Sequence, residues 1–157
     1  MKIALLLVGK TENPNLVALQ EEYVKRLSYY VGFEQIIIPE MRNTKNLTEN
    51  EQREREGELI LKQLNISDGV VLLDEKGKQY SSEKFAAFLE KKMLESKKRM
   101  IFVVGGAYGF SPKIYARANA QLSLSAMTFS HQMVRVFFVE QLYRAFTIIN
   151  REPYHHR

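Results

Sequence analysis

All three histidines of this chain lie beyond residue 130: His131, His155 and His156. Imidazole changes charge near neutral pH, so a histidine beside an aromatic ring and a cation can move a proton on a planar ligand. The C-terminal run Tyr154-His155-His156-Arg157 carries that set. Tyr154 offers a flat face for a nucleobase, His155 and His156 can give or take protons, and Arg157 can hold a phosphate. Other chemistries are poorly served. The absence of cysteine excludes a disulfide scaffold, thiolate metal ligands and a cysteine nucleophile. No spaced His or carboxylate group completes a metal site around the two adjacent histidines, so no metal is expected. Ser125, Ser130 and His131 are close in sequence, but no nucleophile elbow surrounds them.

Two further segments suit a ligand. Gly105 and Gly106, in the run GGAYG, would let a ligand approach the backbone with no Cβ in the way. The alternative is a pair of tight turns. The run is neither GxGxxG nor GxxxxGK[ST], so a dinucleotide or nucleoside triphosphate site is not supported. The segment Leu122–Phe129, LSLSAMTF, alternates apolar and small hydroxylic residues. Such a loop can wrap an adenine with backbone hydrogen bonds while Leu124, Met127 or Phe129 packs on the base. A strand running into a buried turn is the other reading of it.

The elements that must position these residues follow a regular order. Strands are expected at Lys2–Val8, Glu34–Ile38, Gly69–Leu73, Met100–Val104 and Ala120–Leu124. Asn15 can cap a helix from Leu16 to Ser28. Thr48 and Glu51 fit a capping box opening a helix to about Leu64, with Arg53 and Arg55 on a solvated face. Asp74–Tyr80 reads as a polar loop. Ser82 can cap a helix Glu83–Leu94, and Ser111-Pro112 starts a short one to about Asn119. Strands and helices alternating five times predict an α/β protein with a mainly parallel sheet, whose ligand sites lie beyond the carboxyl ends of the strands.

The last predicted helix, His131 to Ile149, is apolar on nearly every side. One sheet face cannot hide that circumference, so a homodimer interface is expected to cover Phe137 and Phe138. Glu140 and Arg144 are spaced to pair along it. Arg135 and Arg144 are open to two readings, buried ion pairs or contact with a substrate.

At 157 residues and 45% apolar content, one domain spanning residues 1–157 with its own core is expected. The first apolar run, Ile3 to Val8, is a strand rather than a signal peptide. No stretch is long enough to span a membrane, and the cytoplasm is the expected location. The formal charge of +5 suits RNA or ordinary solubility equally.

Five ordered motifs then make the chain similar to a known family: GKQYSSE at Gly77–Glu83, FVVGGAYG at Phe102–Gly109, LSLSAMTFSHQMVRV at Leu122–Val136, EQLYRAFTI at Glu140–Ile148 and PYHHR at Pro153–Arg157. Together they resemble the RlmH family (YbeA-like, orfX), ribosomal RNA pseudouridine methyltransferases of the SPOUT superfamily. The resemblance implies an α/β knot whose C-terminal segment threads a preceding loop. It implies a homodimer using S-adenosylmethionine to methylate N3 of a pseudouridine in the helix 69 loop of 23S rRNA, within the assembled 70S ribosome or large subunit. By motif match the cofactor is expected at Leu73, Gly105, Leu124, Ser125, Ala126, Met127, Thr128 and Phe129. The target is expected at Tyr154, His155 and Arg135, partly from the other protomer. His155 is the expected base, with Arg135 or Arg157 steadying negative charge. The rival expectation is a dimeric RNA-binding assembly factor that has no catalytic activity. Ser130 stands where many members carry proline, and serine is itself a favourable N-cap.

Overall fold

A computed structural model describes residues 1–156. The first strand, β1 (Lys2–Val8), is apolar on both faces and ends at Gly9, whose φ of +78° turns the chain out of the sheet. Helix α1 (Pro14–Leu27) starts earlier than expected. Its cap is Asn13 rather than Asn15, with Pro14 at the first helical position. After β2 (Gly32–Ile38), the Thr48–Glu51 capping box opens α2 (Glu49–Leu61). Strand β3 (Gly69–Gln79) is followed by α3 (Ser82–Met93), capped by Ser81 rather than Ser82. The chain closes with β4 (Arg99–Val104), α4 (Pro112–Arg117), β5 (Ala120–Ser123) and α5 (Met133–Ile149).

All strand pairs are parallel, in the order β2-β1-β4-β3-β5. Alternation along each strand splits the core in two. Leu5, Phe102 and Val71 face α1, α5 and α3, while Leu6, Val103 and Leu72 face α2 and α4. The result is a sheet between two helical layers.

Two expectations need correction. The polar run after Leu73 is not a loop, because β3 continues to Gln79. Leu122 pairs with Leu73 and again with Lys78, so Asp74–Gly77 bulge out while the strand passes its neighbour. Pairing at a sheet edge asks for backbone rather than apolar side chains, which is why hydropathy missed it. Gly77 permits the close pass, since a Cβ there would stand 2.6 Å from the Leu122 nitrogen.

The second correction concerns α5. It lies between α1 and α3 on the sheet, and these three surfaces cover most of its circumference within one protomer. Phe138 is wholly buried, 4.7 Å from the Phe102 ring, and is therefore no interface residue. Phe137 stays 41% exposed, stacked on Phe129 at 4.8 Å.

Candidate active site

The main cleft, about 440 Å³, opens beyond the carboxyl ends of β3, β4 and β5. That size suits a small organic ligand, for which pockets run from about 300 to 1,000 Å³. Seven of the eight expected cofactor positions line it: Leu73, Gly105, Leu124, Ser125, Met127, Thr128 and Phe129. Ala126 is exposed and does not line it. The loop after β5 is built by its own serines. Ser123 donates to the Ser125 carbonyl at 2.9 Å, and the Ser125 hydroxyl accepts the Met127 N–H at 2.9 Å. Met127 is left 78% exposed at the mouth, an apolar side chain free to pack on a ligand. On the opposite wall, Asp74 accepts the Tyr115 hydroxyl and the Lys76 N–H. Burial and that carboxylate push the Tyr115 phenol up to about 12, so it remains a donor. Gly105 and Gly106 have no room for side chains, as a Cβ would meet the Phe110 ring at 3.0 Å and the Glu56 carboxylate at 2.4 Å respectively. They therefore present bare backbone to the cleft.

The segment from Leu124 to Gln132 crosses the carboxyl ends of β3 and β4 to reach β1. There it is stapled down. Ser130 accepts the Met133 N–H at 3.1 Å from two residues ahead of the helix N-cap, which is Gln132 rather than the expected Ser130. Gln132 accepts the Glu12 N–H and donates to the Lys10 carbonyl. Arg135 is 1% exposed and donates to the carbonyls of Val8 (2.8 Å), Gly9 (3.0 Å) and His131 (2.9 Å) and to the Thr11 hydroxyl (3.0 Å). This corrects its expected role. Arg135 faces inward and ties the start of α5 to the end of β1, with its guanidinium spent on protein acceptors. Burial lowers its pKa, while Glu40 and Glu12 oppose the shift.

At the other end of α5 the tail is also tied. Arg151 adopts φ of +57° and the Glu152 N–H reaches the Thr147 carbonyl at 2.8 Å. With the Arg151 N–H on the Ile148 carbonyl, this is a Schellman motif with arginine in glycine's usual place. It reverses the chain, so the tail runs back along α5. Tyr154 donates to Glu140 at 3.0 Å and lies over the Arg144 guanidinium at 4.7 Å. Arg144 donates twice to the same Glu140 oxygen, at 2.5 and 3.1 Å. Burial lowers the Arg144 pKa, but the Glu140 hydrogen bonds and the Glu140 charge together outweigh it and raise it overall. Tyr154 is raised by burial and by hydrogen bonds to Tyr23 and Glu140, so it too is a donor.

His155 sits between Arg144, 3.2 Å from Nδ1, and Glu83, 3.2 Å from Nε2. Guanidinium cannot accept, so Nδ1 must carry the lone pair and Nε2–H must face Glu83. Glu83, at the start of α3, was not anticipated, since an acid in a helix's first turn gives no sign of a tail docking on it. Its pKa is lowered by its own backbone N–H and by His155. His131 lines the cleft, whereas His156 is exposed and Arg157 lies outside the described residues. The structure keeps Tyr154 and His155 together, as expected, but groups them with Arg144 and Glu140, while Arg135 lies elsewhere.

No helix among the described residues is long and apolar enough to cross a membrane. The family model described as "Predicted SPOUT methyltransferase" matches residues 1–155. The chain is 58% identical to the ribosomal RNA large subunit methyltransferase H of Christiangramia forsetii, across the full length of both. The protein of the same name from Flavobacterium johnsoniae is 55% identical, also over the whole of both chains. That from Bacteroides fragilis is 49% identical over 99% of each. By the match to the family model and by these full-length likenesses, the chain belongs to the SPOUT methyltransferase family, among the ribosomal RNA large subunit methyltransferase H proteins.

Proposed function

We propose that this protein is a cytoplasmic homodimer that uses S-adenosylmethionine to methylate N3 of a pseudouridine in the helix 69 loop of 23S rRNA, in the assembled ribosome or large subunit. The observation that carries this reading is the cleft at the carboxyl ends of β3–β5, lined by seven residues of the family's cofactor motifs. Bare glycine backbone on one wall and Leu124, Met127 and Phe129 on the other fit a nucleoside with an aliphatic arm. Bound there, the cofactor supplies an electrophilic methyl on its sulfonium. The protein's part is to hold the acceptor ring in line and manage its N3 proton.

Within one protomer the tail sits apart from its own cleft. Val134 borders the cleft, and Glu140 and Arg144, which hold the tail, lie about 9 and 15 Å further along the helix at ~1.5 Å per residue. Reacting atoms need to approach to about 3–3.5 Å. The partner's tail therefore completes each site. The exposed Phe137, Met133 and Leu19 supply an apolar face for that partner. His155 takes the N3 proton on Nδ1 once RNA displaces its contact with Arg144, and Tyr154 donates to a ring oxygen or stacks on it. The whole chain is one domain, and its C-terminal segment threads the knot implied by the family.

Mass spectrometry of 23S rRNA from a deletion strain tests the substrate. The expected result is the loss of one methyl from one pseudouridine in helix 69, and unchanged rRNA would overturn the assignment. Sedimentation tests the dimer: wild type is expected at twice the chain mass and Phe137→Asp as an inactive monomer. An active monomeric wild type would refute the shared site. Failure of the wild type to bind millimolar S-adenosylmethionine in calorimetry would favour the non-catalytic assembly factor.

A further inference from the structure

We infer that Glu56, on the opposite sheet face from α5, is a positioning residue that sets the shape of the Gly105–Gly109 loop for the cofactor. This rests on the cofactor reading of the cleft. Helix α2 was expected to show only solvated charge in its first turns. Instead, residues spaced by three and four along it converge on that loop. Arg53 donates to the Tyr108 carbonyl at 3.2 Å. The Glu56 carboxylate accepts the Gly106 N–H at 2.9 Å and is itself 7% exposed. Gly57 meets Ser111 so closely that a Cβ would stand 2.6 Å from its hydroxyl oxygen. A base grips one end of the loop, an acid the other, and a glycine lets the following residue seat against the helix.

A buried carboxylate is unfavourable unless it is compensated. Burial raises the Glu56 pKa, and the Gly106 N–H opposes that shift. Packing alone would be better served here by an apolar side chain, so the acid is held for what it accepts. The carboxylate lies where a Gly106 Cβ would stand, so only glycine leaves it room against the chain here. The same grip fixes the Gly105 and Gly106 peptides that border the cleft. Those peptides are the groups a cofactor meets on that wall, and an ordered wall lowers the entropy lost on binding.

The test uses the full-length protein and hydrogen exchange at the 105–110 amides, with calorimetry for S-adenosylmethionine. Glu56→Ala should exchange these amides at least tenfold faster without ligand, and raise the cofactor dissociation constant at least tenfold. Its affinity for ribosomes and its exchange in β1 should stay within twofold. Glu56→Gln, which keeps an oxygen for Gly106, should restore both readouts to within threefold of wild type. If Glu56→Ala does not fold, Arg53→Ala decides, with a severalfold rise in exchange at Tyr108 and Gly109 and weaker cofactor binding. Exchange and binding at wild-type values in the folded variant would overturn the proposal. A wild type that binds no cofactor would instead overturn the reading of the cleft, while the exchange result would still judge the loop.

Discussion

The two ends of α5 hold their surroundings by opposite means. At its start the cleft is mostly glycine peptides, serine-bonded turns and apolar side chains, with Asp74 and His131 at its walls and Arg135 spent on carbonyls. At its end the cluster is made of side-chain charge, in which Glu140, Arg144, His155 and Glu83 form a continuous chain of hydrogen bonds with Tyr154 against it. Backbone has little capacity to exchange protons but is well suited to recognising a fixed ligand. A charged network recognises less and transfers more. On the proposed reading this difference separates binding from proton handling along a single helix, and a homodimer would bring the binding end of one protomer to the reactive end of the other.

Four measurements would break or sharpen that contrast. The largest effect belongs to the buried arginine. Arg135→Met leaves carbonyls of Val8, Gly9 and His131 without their donor, and is expected to cost about 3 kcal/mol in urea unfolding. Cofactor binding should fall with it. A neutral result would mean that the start of α5 is held by other contacts. Arg144→Ala comes next. It frees His155 and Tyr154 and should slow single-turnover methylation by about a hundredfold, the lower range for losing acid–base positioning, with cofactor affinity within about twofold. Equal loss of cofactor binding would show that the two ends are not separable.

A gain is expected at the turn between helix and tail. Arg151→Gly relieves a left-handed conformation on a residue with a Cβ and should stabilise by about 1 kcal/mol. A lower urea midpoint would show that the arginine side chain contributes more than its backbone costs. The smallest effect is pH-dependent. Because burial raises the Glu56 pKa above 4.5, the folded protein holds that proton more tightly than the unfolded chain does. The cost of the charged form is absent below the ordinary carboxylate range and accrues as pH rises through the raised value. Glu56→Gln should therefore match wild type in acid and exceed it in stability at neutral pH. A stability difference that does not vary with pH would remove burial as the cause.

What was legible in the sequence follows the same division. The five strands and the Thr48 capping box were readable because apolar runs and cap spacings are local signals. So was the cleft, since paired glycines and the Leu122–Phe129 alternation announce backbone recognition. The bulge after Leu73 was not, because pairing at a sheet edge leaves no hydropathy signal. Nor was the docked tail. Its reversal depends on Arg151 taking a conformation that arginine rarely signals, and its partner Glu83 comes from a helix seventy-two residues earlier. Arg135 misled because an arginine in an apolar helix suggests a ligand contact or an ion pair, whereas this one serves main-chain carbonyls.

The place of α5 in the helical layer also bears on how the protein is made. It is the central helix on its face, yet it leaves the ribosome after all five strands and the four helices that precede it. Until it emerges, Leu5, Phe102 and Phe85 have no Phe138 or Leu142 to cover them, and the nascent chain carries an open apolar trough between α1 and α3. Such a surface is prone to aggregate during synthesis. A chain stopped shortly before Met133 would keep all five strands and still be an obligate client for chaperones or proteases.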